Sequence, residues 1–143
     1  MGGTGAMNVF LDTNVVIDFM GEREGFFDDA SVIFSMIADG SINASVSSLT
    51  IVNCAYILKK AFGPDVMIEK LGTLCQILDI MPIAKEHVQN AISMKPNDYE
   101  DAVQYLSAIP SHPDMVITRD KKGFSDFNIM VMTPSEFVQK AKE

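Results

Sequence analysis

Short apolar runs alternate with longer helical patterns along this chain, and that alternation limits the folds it can adopt. Apolar runs bounded by turn residues indicate buried strands, whereas apolar residues three or four apart indicate helices. Strands are predicted at 7–11, 42–46, 78–82, 114–118 and 129–132. Helices are predicted at 13–20, 27–39, 48–62 (capped by Ser47 or Ser48), 65–77, 84–93, 98–109 and 134–142. This order predicts a three-layer α/β domain with a mainly parallel central sheet flanked by helices.

The length of 143 residues fits one domain, and no linker or internal repeat divides the sequence. We therefore assign residues 7–143 to a single domain and interpret residues 1–6 as a cloning remnant or disordered N-terminus. No apolar stretch approaches the roughly 20 residues that span a bilayer, so we expect no membrane segment. Cys54 and Cys75 lie in apolar helical patterns and are expected to be buried, reduced thiols, which fits the cytoplasm.

Asp12 stands where the first predicted strand ends and the first predicted helix begins. Sites in parallel sheets form beyond the carboxyl ends of the strands, and Asp120 follows the predicted strand 114–118 by two residues. Both acids are therefore predicted to lie at one edge of the sheet. The alternative for Asp12 is a purely structural role, because an aspartate before a helix commonly accepts hydrogen bonds from its free N–H groups.

Asp98 and Asp101 are three residues apart in a predicted helix, so their side chains lie on the same side of it. Like charges at this spacing repel unless a cation lies between them. Helix capping is again the alternative, and it explains Asp98 better than Asp101.

The chain carries a net charge of −8, although nucleic-acid-binding proteins usually present a basic surface. Such acidity either serves solubility or reflects carboxylates that hold a cation. Carboxylates and water are the ligands that Mg²⁺ and Mn²⁺ prefer. The candidate metal ligands are Asp12, Asp98, Asp101 and Asp120, and the candidate catalytic residues among them are Asp12, Asp101 and Asp120.

Basic residues flank Asp120 in "ITRDKKGF", where a loop with two lysines follows the strand. Arg119, Lys121 and Lys122 are candidate contacts for a substrate phosphate, because an acidic protein needs local cations to attract an anionic substrate. A solvated polar turn is the alternative.

Three segments, in this order, resemble the motifs of the PIN-domain ribonucleases, the fold of the VapC-type toxins. In "FLDTNVVIDF" the resemblance makes Asp12 the central metal ligand, with Thr13 and Asn14 supporting it. In "DYEDAVQYLSA" it makes Asp101 the principal acid and Asp98 an accessory one. In "ITRDKKGF" it places Asp120 where the family has Asp or Asn, with Thr118 as a supporting residue.

One position departs from the family pattern. The family often carries a glutamate near the start of the helix after the second strand, where "SSLTIVNCAYIL" has Asn53. Asparagine can ligate a metal through its carbonyl oxygen or hold a water, but it supplies no negative charge. A hydrogen bond to a neighbouring loop is the alternative role for Asn53.

The resemblance implies a Mg²⁺- or Mn²⁺-dependent endoribonuclease that leaves 5′-phosphate and 3′-hydroxyl ends. It also implies an RNA substrate and a cognate antitoxin protein, and we expect a homodimer. A PIN-fold binding module without catalysis is the alternative that Asn53 favours.

Two other enzyme classes place an aspartate after a first apolar strand. A phosphatase of the haloacid-dehalogenase type needs a second acid two residues further on, where this chain has Asn14. A phospho-acceptor receiver domain needs an acidic pair and a late lysine, for which only Asp12 and Lys121 are available. His87 and His112 lie far from the motifs, which disfavours a histidine-based nuclease or a zinc site.

Overall fold

The computed structural model describes residues 6–143. The N-terminal remnant predicted at residues 1–6 lies outside the described residues, except for Ala6. The strands are β1 (Met7–Leu11), β2 (Ile42–Ser47), β3 (Asp79–Met81), β4 (Met115–Ile117) and β5 (Met130–Met132). The helices are α1 (Thr13–Met20), α2 (Phe27–Ala38), α3 (Ser48–Phe62), α4 (Pro64–Ile77), α5 (Lys85–Met94), α6 (Tyr99–Ala108) and α7 (Pro134–Ala141). Two 3₁₀ helices cover Ile109–Ser111 and Lys121–Phe124.

The strands form one sheet in the order β3-β2-β1-β4-β5, and every neighbouring pair is parallel. β1 is central, and Val9 pairs with Ala44 of β2 on one side and with Met115 of β4 on the other. The predicted α/β architecture is thus confirmed. Because all strands are parallel, the residues that follow β1 and β4 meet at the same edge of the sheet.

The helices and strands begin and end within one residue of their predicted bounds, because caps and helix-breaking residues mark them. Ser47 caps α3 by accepting a hydrogen bond from the Thr50 N–H at 3.2 Å. Gly63, with a φ of 89°, ends that helix, and Pro64 begins α4. The segment Lys121–Phe124 differs from expectation: it is a 3₁₀ helix, where the sequence indicated a loop.

Alternate side chains of β1 enter the cores on opposite faces of the sheet, as the strand period requires. Val9 and Leu11 belong to the larger cluster, whereas Phe10 packs with Val116 and Phe124 on the other face. Both faces of the sheet are therefore covered by apolar groups, and polar side chains collect at its edge. No helix in residues 6–143 is long and apolar enough to cross a membrane.

Cys54 and Cys75 are both free thiols, but they differ in exposure. Cys54 is buried on α3, and burial raises the pKa of its thiol to about 12. Cys75 is exposed, so the prediction of two buried thiols is right for Cys54 and wrong for Cys75. The difference arises because α4 turns that side chain toward solvent.

Candidate functional site

An open pocket of about 350 Å³ beyond β1 and β4 collects acidic side chains from three separate segments. Asp12 follows β1, Asp98 and Asp101 come from the start of α6, and Asp120 comes from the segment after β4. The structure thus places the four predicted acids around one cavity. We call it the acid pocket, and its lining consists of Asp12, Thr13, Asn14, Ile17, Arg23, Ile57, Asp98, Glu100, Asp101 and Asp120.

Three of these acids also cap helices. Asp12 caps α1, Asp98 caps α6 and Asp120 caps the Lys121–Phe124 helix. Each carboxylate accepts a backbone N–H of the helix it begins, at 2.8, 2.9 and 3.3 Å respectively. Capping uses only part of the acceptor capacity of a carboxylate. The capping alternative is therefore correct for Asp12 and Asp98, and capping leaves oxygen lone pairs of Asp98 and Asp120 available to the pocket.

Asp12 is the most heavily hydrogen-bonded acid of the pocket, and only 6% of it is exposed. Besides its capped N–H, it accepts hydrogen bonds from Thr118 Oγ1 at 2.7 Å, Gln104 Nε2 at 3.3 Å and Asn14 Nδ2 at 3.4 Å. Burial raises the pKa of Asp12, while the hydrogen bonds from Thr118 and Gln104 oppose that rise. Donors from three elements thus fix the orientation of this carboxylate.

Three of the four predicted supporting residues, Thr13, Asn14 and Thr118, surround Asp12, whereas Asn53 does not contact it. The Asn14 amide donates to Thr118 Oγ1 at 3.3 Å, and its Oδ1 accepts the Arg119 N–H at 3.2 Å. Asn14 therefore ties the start of α1 to the end of β4. Thr13 Oγ1 lies 2.8 Å from Thr50 Oγ1, which connects α1 to α3.

Gln104 is a part of this arrangement that sequence reasoning missed. Its side chain is fully buried, donates to Asp12 and accepts from Thr50 Oγ1 at 3.2 Å and Ser47 Oγ at 3.4 Å. A glutamine is rarely fully buried without polar partners. Its position three residues after Asp101, on the same side of α6, was the signal that could have identified it.

Asp101 combines burial with the charges of four neighbouring acids. Only 7% of it is exposed. Burial raises the pKa of Asp101 to about 7, with further contributions from the charges of Asp12, Asp98, Glu100 and Asp120. A cation in the pocket would remove this repulsion.

Glu100 is a fifth acid of the pocket that sequence reasoning missed. Burial and the charges of Asp12 and Asp98 raise its pKa. Glu100 lies two residues from Asp98, a spacing that does not place side chains on one side of a helix. The pocket lies at the N-terminal end of α6, however, so side chains from several directions of its first turn reach it.

The cations around Asp120 are arranged differently from expectation. The Arg119 guanidinium forms a two-point ion pair with the buried Asp18, at 2.7 and 3.2 Å, and stacks 4.1 Å from the centre of the Phe26 ring. It lines a neighbouring cavity of about 260 Å³ and does not line the acid pocket. Asp18 therefore holds the guanidinium away from the position where we expected a phosphate contact.

Lys121 is also paired, since its Nζ lies 3.0 Å from Glu136 Oε1 on α7. Lys122 forms no ion pair with any side chain of residues 6–143. The basic side chain that lines the acid pocket is Arg23, which sequence reasoning missed because the α1–α2 loop carries no motif. The structure thus offers Arg23 and Lys122 as the cations available near the acids.

Asn53 does not line the acid pocket. It lies on α3 between Thr50, which belongs to the hydrogen-bond network, and Ile57, which lines the pocket. The side of the pocket that α3 forms is consequently uncharged.

Comparison with known proteins identifies the family to which the chain belongs. The family model described as "PIN domain" matches residues 8–122, which include all the acids of the pocket. The chain belongs to the PIN domain family. This membership removes the support for the phosphatase and receiver-domain alternatives, whose motifs are also incomplete here.

Relatives of this PIN domain span nearly its whole length. Ribonuclease VapC1 of Aquifex aeolicus is 26% identical over 137 residues, covering 92% of this chain and 94% of the relative. The structure of VapBC2 from Rickettsia felis bound to a promoter DNA fragment superposes with a TM-score of 0.66 at 16% identity, over 89% of this chain and 98% of that one. The structure of Mycobacterium tuberculosis VapC20, described as a sarcin-ricin loop cleaving toxin, superposes with a TM-score of 0.66 at 9% identity. The match covers 85% of this chain and 96% of VapC20.

The residues of this PIN domain fit a hydrated divalent cation better than a closed metal cage. No three Asp, Glu, His or Cys side chains in the described range 6–143 converge closely enough to hold an ion by themselves. Mg²⁺ usually keeps several waters and binds through one or two carboxylates together with substrate phosphates. The carboxylates of the acid pocket, with the pKa of Asp101 raised to about 7 by burial and by its neighbours, suit such a cation.

Proposed function

We propose that this PIN domain is a Mg²⁺- or Mn²⁺-dependent endoribonuclease that hydrolyses RNA phosphodiester bonds in the acid pocket. One observation carries the proposal: five carboxylates from three segments line one open pocket at the edge of the parallel sheet. Burial and then mutual repulsion raise the pKa of Asp101 and Glu100, and a divalent cation would offset the repulsion. The family membership and the relative named Ribonuclease VapC1 support a nuclease.

Asp12, Asp98, Asp101 and Asp120 would hold the cation together with its waters and a substrate phosphate. When bound, it supplies Lewis-acid stabilisation of the phosphate and lowers the pKa of a water. Thr118, Gln104 and Asn14 keep the Asp12 carboxylate in one orientation. A precisely held carboxylate lowers the entropic cost of bringing substrate and cation together. Hydrolysis that breaks the bond between phosphorus and the 3′ oxygen would leave 5′-phosphate and 3′-hydroxyl ends.

The RNA must approach an acidic protein, so positive charge at the pocket is important. Arg23 lines the acid pocket, and Lys122 lies in the segment that carries Asp120. These two side chains, rather than Arg119 and Lys121, are the cations that we assign to the substrate backbone.

We further propose a cognate antitoxin as a protein partner and a homodimer as the assembled form. Structurally similar proteins include a toxin-antitoxin complex from Klebsiella pneumoniae, with a TM-score of 0.65. Large apolar side chains are exposed on α3 and α5, among them Tyr56 at 71% and Ile92 at 63%. The free thiols of Cys54 and Cys75 favour a reducing location such as the cytoplasm. Light scattering measures the mass of the assembly, and growth arrest relieved by a neighbouring gene product identifies an antitoxin.

The decisive experiment incubates the purified protein with a mixed RNA pool and Mn²⁺, Mg²⁺ or a chelator. We expect internal cleavage with either metal, none with the chelator, and 5′-phosphate ends on the products. Cleavage that persists in the chelator contradicts metal dependence. A PIN-fold binding module, which the uncharged α3 side of the pocket favours, would instead retain RNA in a gel-shift experiment without cutting it.

A further inference from the structure

Gly123 lies directly against the carboxylate of Asp101. A Cβ atom at this glycine would overlap Asp101 Oδ2 and lie 2.8 Å from Asp101 Cγ. Gly123 is buried and is not among the glycines with positive φ, so its backbone does not itself require glycine. What requires glycine is the close approach of the Lys121–Phe124 helix to the Asp101 side chain.

The surroundings of Gly123 hold that 3₁₀ helix in place. Phe124 is fully buried and packs with Phe10 and Val116 on one face of the sheet. Moving the helix away from α6 would pull this buried ring out of its apolar core, which is unfavourable. The atom that a new Cβ would meet first is instead the far end of a side chain, which can rotate. A side chain at position 123 would therefore displace the Asp101 carboxylate.

We propose that Gly123 is a positioning residue, whose missing side chain lets the Lys121–Phe124 helix hold the Asp101 carboxylate in the acid pocket at a fixed spacing from Asp120. The inference rests on the proposed function in one respect, namely that this carboxylate serves a divalent cation. Gly123→Ala keeps the fold and weakens cation binding.

Titration calorimetry with Mn²⁺ tests this role without measuring activity. We expect Gly123→Ala to bind Mn²⁺ at least about 10-fold more weakly than the wild type, the size of effect seen when groups that orient metal ligands are changed. Gly72→Ala is the matched control, because nothing lies within 4 Å of a Cβ at that helical position. It should bind Mn²⁺ as the wild type does. Wild-type affinity in Gly123→Ala overturns the proposal.

Crystal structures of the metal-free proteins separate this inference from the proposed function. If the wild type binds no Mn²⁺, the proposed function fails, and the position of Asp101 in Gly123→Ala then decides the role of Gly123. We expect its carboxylate to move by more than about 0.5 Å, the tolerance of a functional site, relative to Asp120. If Asp101 and Asp120 in the Gly123→Ala structure superpose on their wild-type positions, the inference is overturned.

A double variant covers the case in which Gly123→Ala fails to fold. Asp101→Ala removes the carboxylate that the new methyl group would meet, so Gly123→Ala combined with Asp101→Ala should fold. Circular dichroism and thermal unfolding show whether it does. An unfolded double variant, beside a folded Asp101→Ala, places the clash elsewhere and overturns the proposal.

Discussion

The Gln104 amide on α6 donates its Nε2 to Asp12 Oδ1 at 3.3 Å, across 92 positions of sequence. The same side chain accepts hydrogen bonds from Ser47 and Thr50, so it joins the ends of β1 and β2 to α6. All its polar atoms are used inside the protein, where an unpaired group would be costly. Gln104 thus fixes the helix that carries Asp98 and Asp101 relative to the strand that carries Asp12.

Replacing Gln104 by leucine should destabilise the protein by roughly 1–3 kcal/mol, because the hydroxyls of Ser47 and Thr50 lose a buried acceptor and Asp12 loses a donor. Urea unfolding measures the difference in free energy. Gln89→Leu on α5 is the control, since that glutamine is exposed and should change stability little. Equal unfolding free energies for Gln104→Leu and the wild type contradict the structural role.

Asp12→Asn should keep the fold and abolish metal-dependent RNA cleavage. Asparagine is nearly isosteric with aspartate and also caps helices. It replaces a carboxyl group whose pKa is already raised by burial. It lacks the negative charge that a cation needs. Circular dichroism checks the fold, and cleavage of a mixed RNA pool with Mn²⁺ checks activity. Asp65→Asn, at the start of α4 and exposed, is the control that should stay active. A folded, fully active Asp12→Asn variant rules out the assigned metal role.

The stability of the metal-free protein should fall as the pH rises through about 7, because that is the pKa of Asp101 raised by burial and by neighbouring acids. The unfolded chain releases this proton near its ordinary pKa of about 4, so the native state binds the proton more tightly than the unfolded state does. Asp101→Asn cannot ionise and avoids this loss. Its melting temperature should therefore exceed that of the wild type by a margin that grows from about pH 5 to about pH 8.

Melting curves in a chelator measure this margin, with Asp65→Asn as the exposed control whose margin should not change with pH. Millimolar Mn²⁺ should raise the melting temperature of the wild type near neutral pH, because a ligand that binds the native state stabilises it. It should raise that of Asp101→Asn much less. A margin that stays constant across this pH range shows that Asp101 is ionised in the native state as easily as in the unfolded chain.

The helices and strands and their order could be predicted from the sequence because local signals mark them. The cap at Ser47, the break at Gly63 and the alternation within strands each depend on only a few neighbouring residues. The meeting of Asp12 and Asp120 followed from parallel strands ending at one edge. The partners of Gln104 and Arg119 could not be predicted, because they depend on side-chain directions between segments distant in the sequence. The charge of Arg119 indicated a cation near the site but not that Asp18 would bind it.

Arg119 should act on stability rather than on RNA binding. Arg119→Gln leaves the Asp18 carboxylate, of which 1% is exposed, without its partner, and we expect a loss of about 3 kcal/mol in unfolding free energy. Combining it with Asp18→Asn removes both charges and should restore part of that loss. Urea unfolding measures both variants. If the folded double variant has a strongly raised KM for RNA, Arg119 does contact the phosphate.

Asn53 should limit the free protein to one tightly bound Mn²⁺. Hydrolysis by two metals needs cations about 3.5–4 Å apart, and cations that close need carboxylates on both sides to offset their repulsion. The α6 and β4 sides of the acid pocket supply Asp98, Glu100, Asp101 and Asp120, whereas α3 lines it with the uncharged Ile57 and carries the uncharged Asn53 one turn before. We therefore expect the second cation to bind only together with an RNA phosphate.

Titration calorimetry with Mn²⁺ counts the sites. The wild type should show a single strong site, and Asn53→Glu should add or strengthen a second, because it extends a negative charge from α3 toward the pocket. Asn53→Gln is the matched control, since it has the same length as glutamate without the charge and should leave one site. Two equally tight sites in the RNA-free wild type would show that α3 needs no carboxylate for a second cation to bind.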